Sequence, residues 1–230
     1  MPQPWRKLTA DEQTKFDLGY AVFNTSWSPA DAPGGRTDGL GPLFNVQSCD
    51  ACHNSRRRGR GPRGDGDAPG DLVIQLGRVL PDGRVERGLA EYGRILNTAA
   101  TAGFKPEASV SIQYEELPRW LIDNTRLTLR KPTYIVSNLS GRPLPEDAII
   151  MPRMPPLAQG AGLLARVPES ALLSLEKSAA KGRIPPGHVS RLNDSKQIGR
   201  FGWQATEATV ASQTASAFAR EMGLTSDIMA

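Results

Sequence analysis

The chain has 230 residues, 39% hydrophobic and 23% charged, enough for one large or two small domains with a buried core, which excludes a disulfide-stapled miniprotein. Its 23 glycines and 19 prolines exclude an extended coiled coil and predict many turns. Lys and Arg number 28 against 24 Asp and Glu, and a net charge of +4 is too small an excess to imply a nucleic-acid partner. The longest apolar stretches, such as Ala161 to Val167, are broken by Gly or Arg, so no transmembrane segment is expected. The opening Met1 to Lys7 lacks the layout of a secretory signal, which by itself points to the cytoplasm.

A helix is expected from Thr9, because Thr9 and Glu12 form a capping box and Phe16, Tyr20 and Phe23 recur at helical spacing, a stripe read as core. The chain then loosens through Ser28-Pro29 and Ala32-Pro33-Gly34-Gly35. Gly39 and Gly41 follow, placed to let the backbone approach a flat cofactor closely.

The two cysteines of the chain are Cys49 and Cys52, and one of its two histidines is His53, giving Cys49-Asp50-Ala51-Cys52-His53. This is the c-type haem attachment pattern. Thiols three residues apart can each add to a haem vinyl group, and the adjacent imidazole is then held to bind iron from the proximal side. Three other readings stand beside it. A thioredoxin-like pair wants a strand before it and a regular helix after it, and here a glycine-rich basic loop follows. A structural zinc site would need Cys49, Cys52, His53 and His188 together. A Cys49 to Cys52 disulfide would close a very small loop.

Arg56, Arg57, Arg58, Arg60 and Arg63 form a basic cluster after the motif. It reads as a solvated loop, as a phosphate-binding patch, or as a source of partners for haem propionates, with Arg56 and Arg60 the candidates. No aromatic residues interleave to stack bases, which argues against nucleic acid.

From about Leu72 to Val136 apolar and polar residues alternate in short runs. Leu72, Ile74 and Leu76, then Val110, Ile112 and Tyr114, then Leu127 and Leu129 predict hairpins, with a turn at Pro81-Asp82-Gly83. Tyr92, Tyr114, Trp120 and Tyr134 are expected to pack. Helices return with Pro168 opening a segment through Leu175 closed by Gly182, and with a segment from Thr206 to Met222 ending at Gly223; Gly182 to Arg200 between them reads as a loop.

Six blocks carry a resemblance across residues 15–227. They are Gly39-Leu40-Gly41-Pro42-Leu43-Phe44-Asn45 with the cysteine motif and Arg60-Gly61-Pro62; Tyr114-Glu115-Glu116; Leu129 to Tyr134; Pro152-Arg153-Met154-Pro155-Pro156-Leu157; Gly160 to Leu164; and Gly199-Arg200-Phe201-Gly202-Trp203. The chain resembles the di-haem oxidoreductases, also called putative thiol oxidoreductases, which are similar to the di-haem cytochrome c peroxidases. Members carry a second Cys-x-x-Cys-His. With no further cysteine this chain corresponds to the N-terminal half, so its expected partners are a redox protein or the missing second-haem half, and an oxidant such as peroxide.

The fold expected is mainly α, a cytochrome c-like haem domain with a small antiparallel β-rich insertion and long irregular loops. Its stretches are 1–70 for the N-terminal helix and haem attachment, 71–150 for the insertion and 151–230 for a helical completion. One covalent haem c is expected on Cys49 and Cys52 with His53 on iron, Met154 or His188 being candidates for the distal position; Met151 is a further thioether in the same proline-bounded loop. The function expected is electron transfer, with peroxidase-type activity in the complete enzyme. The alternatives are a mono-haem electron carrier or a zinc-stabilised basic interaction module. The haem motif predicts a periplasmic location, although no signal peptide is visible. Trp203 reads as a core anchor, with electron hopping as its second reading.

Overall fold

Thr9 opens the first helix as its sequence predicts. Its hydroxyl accepts from Glu12 N at 3.3 Å and the Glu12 carboxylate accepts from Thr9 N at 3.0 Å, closing the capping box. The computed structural model describes residues 4, 6–30, 37–53, 59–179, 182, 186–192 and 196–229. These fall into two compact units, Met1–Pro156 with Arg220–Gly223, and Leu157–Ala219 with Leu224–Ala230.

In the first unit, helix α1 (Ala10–Asn24) buries no residue fully, and Phe16, Tyr20 and Phe23 lie half-buried along one face. The stripe is a partly covered wall and not the core expected of it. Short strands β1 (Ser28–Pro29) and β2 (Asp38–Leu40) pair in parallel, and β3 (Leu43–Phe44) leads to helix α2 (Cys49–His53). Strand β4 (Val73–Val79) is the centre of a three-stranded antiparallel sheet, between β5 (Val85–Arg87) and a partner from much later in the chain, β9 (Ala148–Arg153). Between them in sequence come β6 (Ala99–Ala100), which pairs with β3, and a long hairpin of β7 (Ser109–Trp120) and β8 (Arg126–Ser137). The expected turn after β4 is present, Gly83 N donating to Leu80 O at 2.8 Å.

The core follows from the alternation in β4. Ile74 and Leu76 point to one face, where they pack with Leu89, Tyr92, Leu96, Ala108 and Val110. Leu76, Leu96 and Ile112 are completely sealed from solvent. Buried Tyr92 satisfies its hydroxyl by donating to Arg142 O at 2.6 Å.

The same alternation explains why the hairpin leaves the core. Val110 and Ile112 are buried, but two, four and six residues beyond Tyr114 the same face carries Glu116, Pro118 and Trp120, and Trp120 is 62% exposed. Trp120 is therefore not the packing residue expected; it lies in a cation–π contact with Arg126, 6.0 Å from its ring centre. Tyr114 N donates to Asp65 Oδ1 at 2.7 Å and Ile112 N to Asp67 O at 3.2 Å, so residues of this parity direct their N–H away from β8. Pro118 has that parity, and Pro132 faces Tyr114 across the ladder. Each free edge thus carries a proline where an outward N–H would otherwise recruit another strand.

The second unit holds α3 (Ala161–Ala165), α4 (Glu169–Ala179), a two-residue antiparallel ladder of β10 (Ser190–Arg191) and β11 (Ile198–Gly199), and most of α5 (Val210–Glu221). Pro168 O accepts from Ala171 N at 3.0 Å at the start of α4 and Gly182 N donates to Ala179 O at 3.1 Å at its end. Trp203 is 45% exposed, which corrects its reading as a core anchor.

Of the described residues 23% are helical and 29% strand, which overturns a mainly α, cytochrome c-like architecture. The stretch read as an insertion supplies the principal core, and the haem-pattern helix is five residues long. Among the described residues no helix is long and apolar enough to cross a membrane.

Candidate functional site

The Cys-x-x-Cys-His motif forms its own short helix because Ser48 starts it, the Ser48 hydroxyl accepting from Ala51 N at 3.1 Å. The segment ahead of it is pinned at Asn45. The Asn45 backbone N–H donates to Glu221 O at 2.7 Å, and its side-chain oxygen accepts from Thr98 N at 3.0 Å. Gly41 allows a backbone crossing here: a Cβ on it would come within 2.7 Å of Gly223 Cα. Its glycine therefore serves chain against chain, in place of the cofactor approach expected from sequence.

One helical turn carries both sulfurs. Cys52 is 8% exposed, Cys49 is half-buried, and the two are free thiols. Burial pushes the Cys52 thiol up to about 12, assisted by the fields of Glu221, Asp71 and Cys49, and burial raises Cys49 as well. A buried thiol held protonated is a poor nucleophile for a redox pair. A thioether carries no charge and suits the same surroundings. Among the described residues no three of His, Cys, Asp and Glu gather as metal ligands.

His53 lies half-buried with its ring centre 6.0 Å from that of Phe23. Its Nδ1 is 2.7 Å from the backbone oxygen of Pro156. A carbonyl only accepts, so Nδ1 is the donor in this contact and Nε2 is the ring nitrogen it leaves unengaged. The Pro156 carbonyl fixes both tautomer and ring orientation, the usual support of a metal-binding imidazole.

The strand-end strap that provides this carbonyl also holds the chain after the motif. Gly59 N donates to Pro155 O at 3.1 Å, and a Cβ on Gly59 would come within 3.1 Å of Met154 Sδ. Met154 thus packs beneath Gly59. Met151 lies elsewhere, on the sheet, its methyl 3.0 Å from where a Cβ on Gly77 would stand. His188 is in the second unit, its side chain 74% exposed and Nδ1 3.9 Å from Glu176 Oε1. Arg60 is tied to Asp71, whose carboxylate accepts from Arg60 N at 2.6 Å and lies 3.8 Å from Nε. Arg56 lies outside the described residues.

Sequence reasoning singled out the cysteines and His53 but gave no role to Pro156 or Glu221. A backbone carbonyl has no residue signature, and Glu221 reaches Asn45 only through the fold. No family model, curated protein or solved structure matches the chain.

Proposed function

We propose that the chain is a c-type haem redox protein, related to the N-terminal half of the di-haem oxidoreductases, with one haem held by thioethers to Cys49 and Cys52 and by His53 on iron. The observation that carries this reading is the His53 Nδ1 to Pro156 O contact of 2.7 Å, which leaves Nε2 for a metal in a motif whose two sulfurs share one turn. Buried neutral sulfur at Cys52 and the half-buried aromatic wall of Phe16, Tyr20 and Phe23 add support. Bound haem would supply one-electron chemistry at iron. The chain's own part is to anchor the group, orient the imidazole and exclude water from one side of it. Electron transfer follows from one such centre, in the periplasm where c-type attachment takes place. Peroxidase-type turnover belongs to the complete two-haem enzyme, with a separate polypeptide or redox protein as partner.

The test is the full chain, given an export signal and co-expressed with cytochrome c maturation proteins, extracted with acid acetone and read as a pyridine haemochrome. A c-type spectrum that resists extraction, and that is lost in Cys49→Ala/Cys52→Ala, is expected. Extractable haem, or none, refutes the proposal. Reaction of the loaded protein with peroxide then separates catalysis from simple electron carriage.

A further inference from the structure

The β7-β8 hairpin runs on well past the core that its base covers. Its strands pair without interruption from Ser109 opposite Ser137 to Trp120 opposite Arg126. Full burial ends at Ile112, and across residues 115–133 every residue but the half-buried Leu117 is exposed. The six rungs from Glu115 to Trp120 extend about 20 Å. A closed turn ends the arm. Asn124 N donates to Leu121 O at 3.0 Å, Leu121 N to Thr125 O at 2.9 Å and Thr125 N to Asp123 Oδ1 at 3.0 Å, with Asn124 in the left-handed region at φ 64°. The tip so formed is apolar on every side: Trp120 on one face, Leu127 and Leu129 on the other, Leu121 and the fully exposed Ile122 at the end. Charge divides along the arm as well. Towards its base the cations are balanced, Lys131 paired with Glu115 at 3.4 Å and Arg130 opposite Glu116. Across residues 117–129 the charged residues are Arg119 and Arg126, one on each face, and Asp123 in the turn.

We propose that this tip docks on an anionic lipid surface, Trp120, Leu121, Ile122 and Leu127 entering the headgroup region while Arg119 and Arg126 bind lipid phosphates. Apolar side chains on both faces and at the end suit a lipid interface, which surrounds a tip, better than a protein groove, which covers one face. Strand addition is blocked, because Pro118 and Pro132 stand on the outer edges of the arm. Tryptophan suits the boundary between headgroups and acyl chains, its ring apolar and its N–H wet. Arg119 donates to Pro118 O at 2.8 Å and Arg126 lies over the Trp120 ring, yet both side chains are exposed and each guanidinium has five donors, so phosphate stays within their chemistry. Their aliphatic stems let the charges stay among headgroups while the apolar tip goes deeper. Asp123, whose carboxylate closes the turn, keeps that depth short of the hydrocarbon. This surface stands apart from the haem motif and does not depend on it.

The experiment is co-sedimentation of the full-length chain with vesicles of phosphatidylglycerol and phosphatidylcholine in equal parts, and of phosphatidylcholine alone, with tryptophan emission read in the same samples. Binding to the anionic vesicles is expected, about tenfold weaker on phosphatidylcholine or in about 0.5 M salt. It is accompanied by a blue shift of emission that is lost in Trp120→Phe. Leu121→Ser/Ile122→Ser is expected to bind about tenfold more weakly, and Arg119→Gln/Arg126→Gln to lose about tenfold on the anionic vesicles. Leu18→Ser, at an exposed leucine of α1, is expected to bind as the parent does. All these positions are exposed, so an unchanged urea midpoint is expected for each variant. No binding by the parent, or binding that the tip variants leave unchanged, overturns the proposal. Lipid-free dimers of the parent that Leu121→Ser/Ile122→Ser disperses also overturn it and assign the tip to a second copy of the chain.

Discussion

Replacing Glu221 with Gln separates the charge of a buried carboxylate from its shape. Glu221 ends α5, its side chain accepting from Asn45 Nδ2 at 3.2 Å. Burial pushes its pKa from 4.5 to about 7, against the opposing pull of the Asn45 hydrogen bond and of Arg220. The sign follows from proton counts. Between pH 4.5 and about 7 the unfolded chain has lost this proton and the folded chain still holds it, so stability falls as pH rises through that window. The full shift corresponds to a ceiling of about 3 kcal/mol above pH 7. Gln is neutral throughout and keeps an amide oxygen for Asn45. Burial raises Glu107 in the same direction, but that residue is common to both proteins and cancels in the difference. Urea unfolding of the haem-free chain, followed by tryptophan fluorescence, is therefore expected to show little difference at pH 4 and a stability gain for Glu221→Gln of about 1–3 kcal/mol at pH 8. The Cys52 thiol, raised in part by Glu221, is expected to be alkylated faster in the variant. A difference that does not change with pH, or a variant less stable at pH 8, would refute the reasoning.

Leu76→Ala empties a fully sealed core position and is expected to cost about 3 kcal/mol in urea unfolding, more than any single exposed hairpin leucine. Thr9→Ala breaks the capping box and is expected to cost about 1 kcal/mol, with faster amide exchange in the first turn of α1. Pro118→Val restores an outward N–H to the β7 edge, and sedimentation is expected to show concentration-dependent self-association absent from the parent.

What the sequence made legible was local. Thr9 and Glu12 are three residues apart, the β4 alternation is contiguous, and the turn at Gly83 needs only its own neighbours. What it hid was pairing over distance. β4 is a central strand because β9 joins it some 70 residues later, and no periodicity within either segment announces that contact. Without it the middle stretch looked like an appendage to a helical domain. Trp120 failed for a related reason: its alternation is correct, yet the face it belongs to passes beyond the core after Tyr114. Arg60 stood out because it lay in a basic run, and Asp71, which engages it, is hidden eleven residues away. Arg87 and Arg153 share one face of the sheet only through strand register, which nothing in their own segments announces.

The strap Arg153-Met154-Pro155-Pro156 shows how that register reaches the motif. Arg153 is still in the ladder, opposite Val73, so the strap leaves a strand fixed by its neighbours. Met154 packs under Gly59, Pro155 O takes the Gly59 N–H, and Pro156 O takes the His53 N–H, so three consecutive residues hold Gly59 and His53 on either side of the segment between them. Two prolines stiffen this run and lack N–H groups that would compete for its carbonyls. The strap therefore meets the imidazole from its Nδ1 side. Met154 travels with it, its sulfur packed under Gly59.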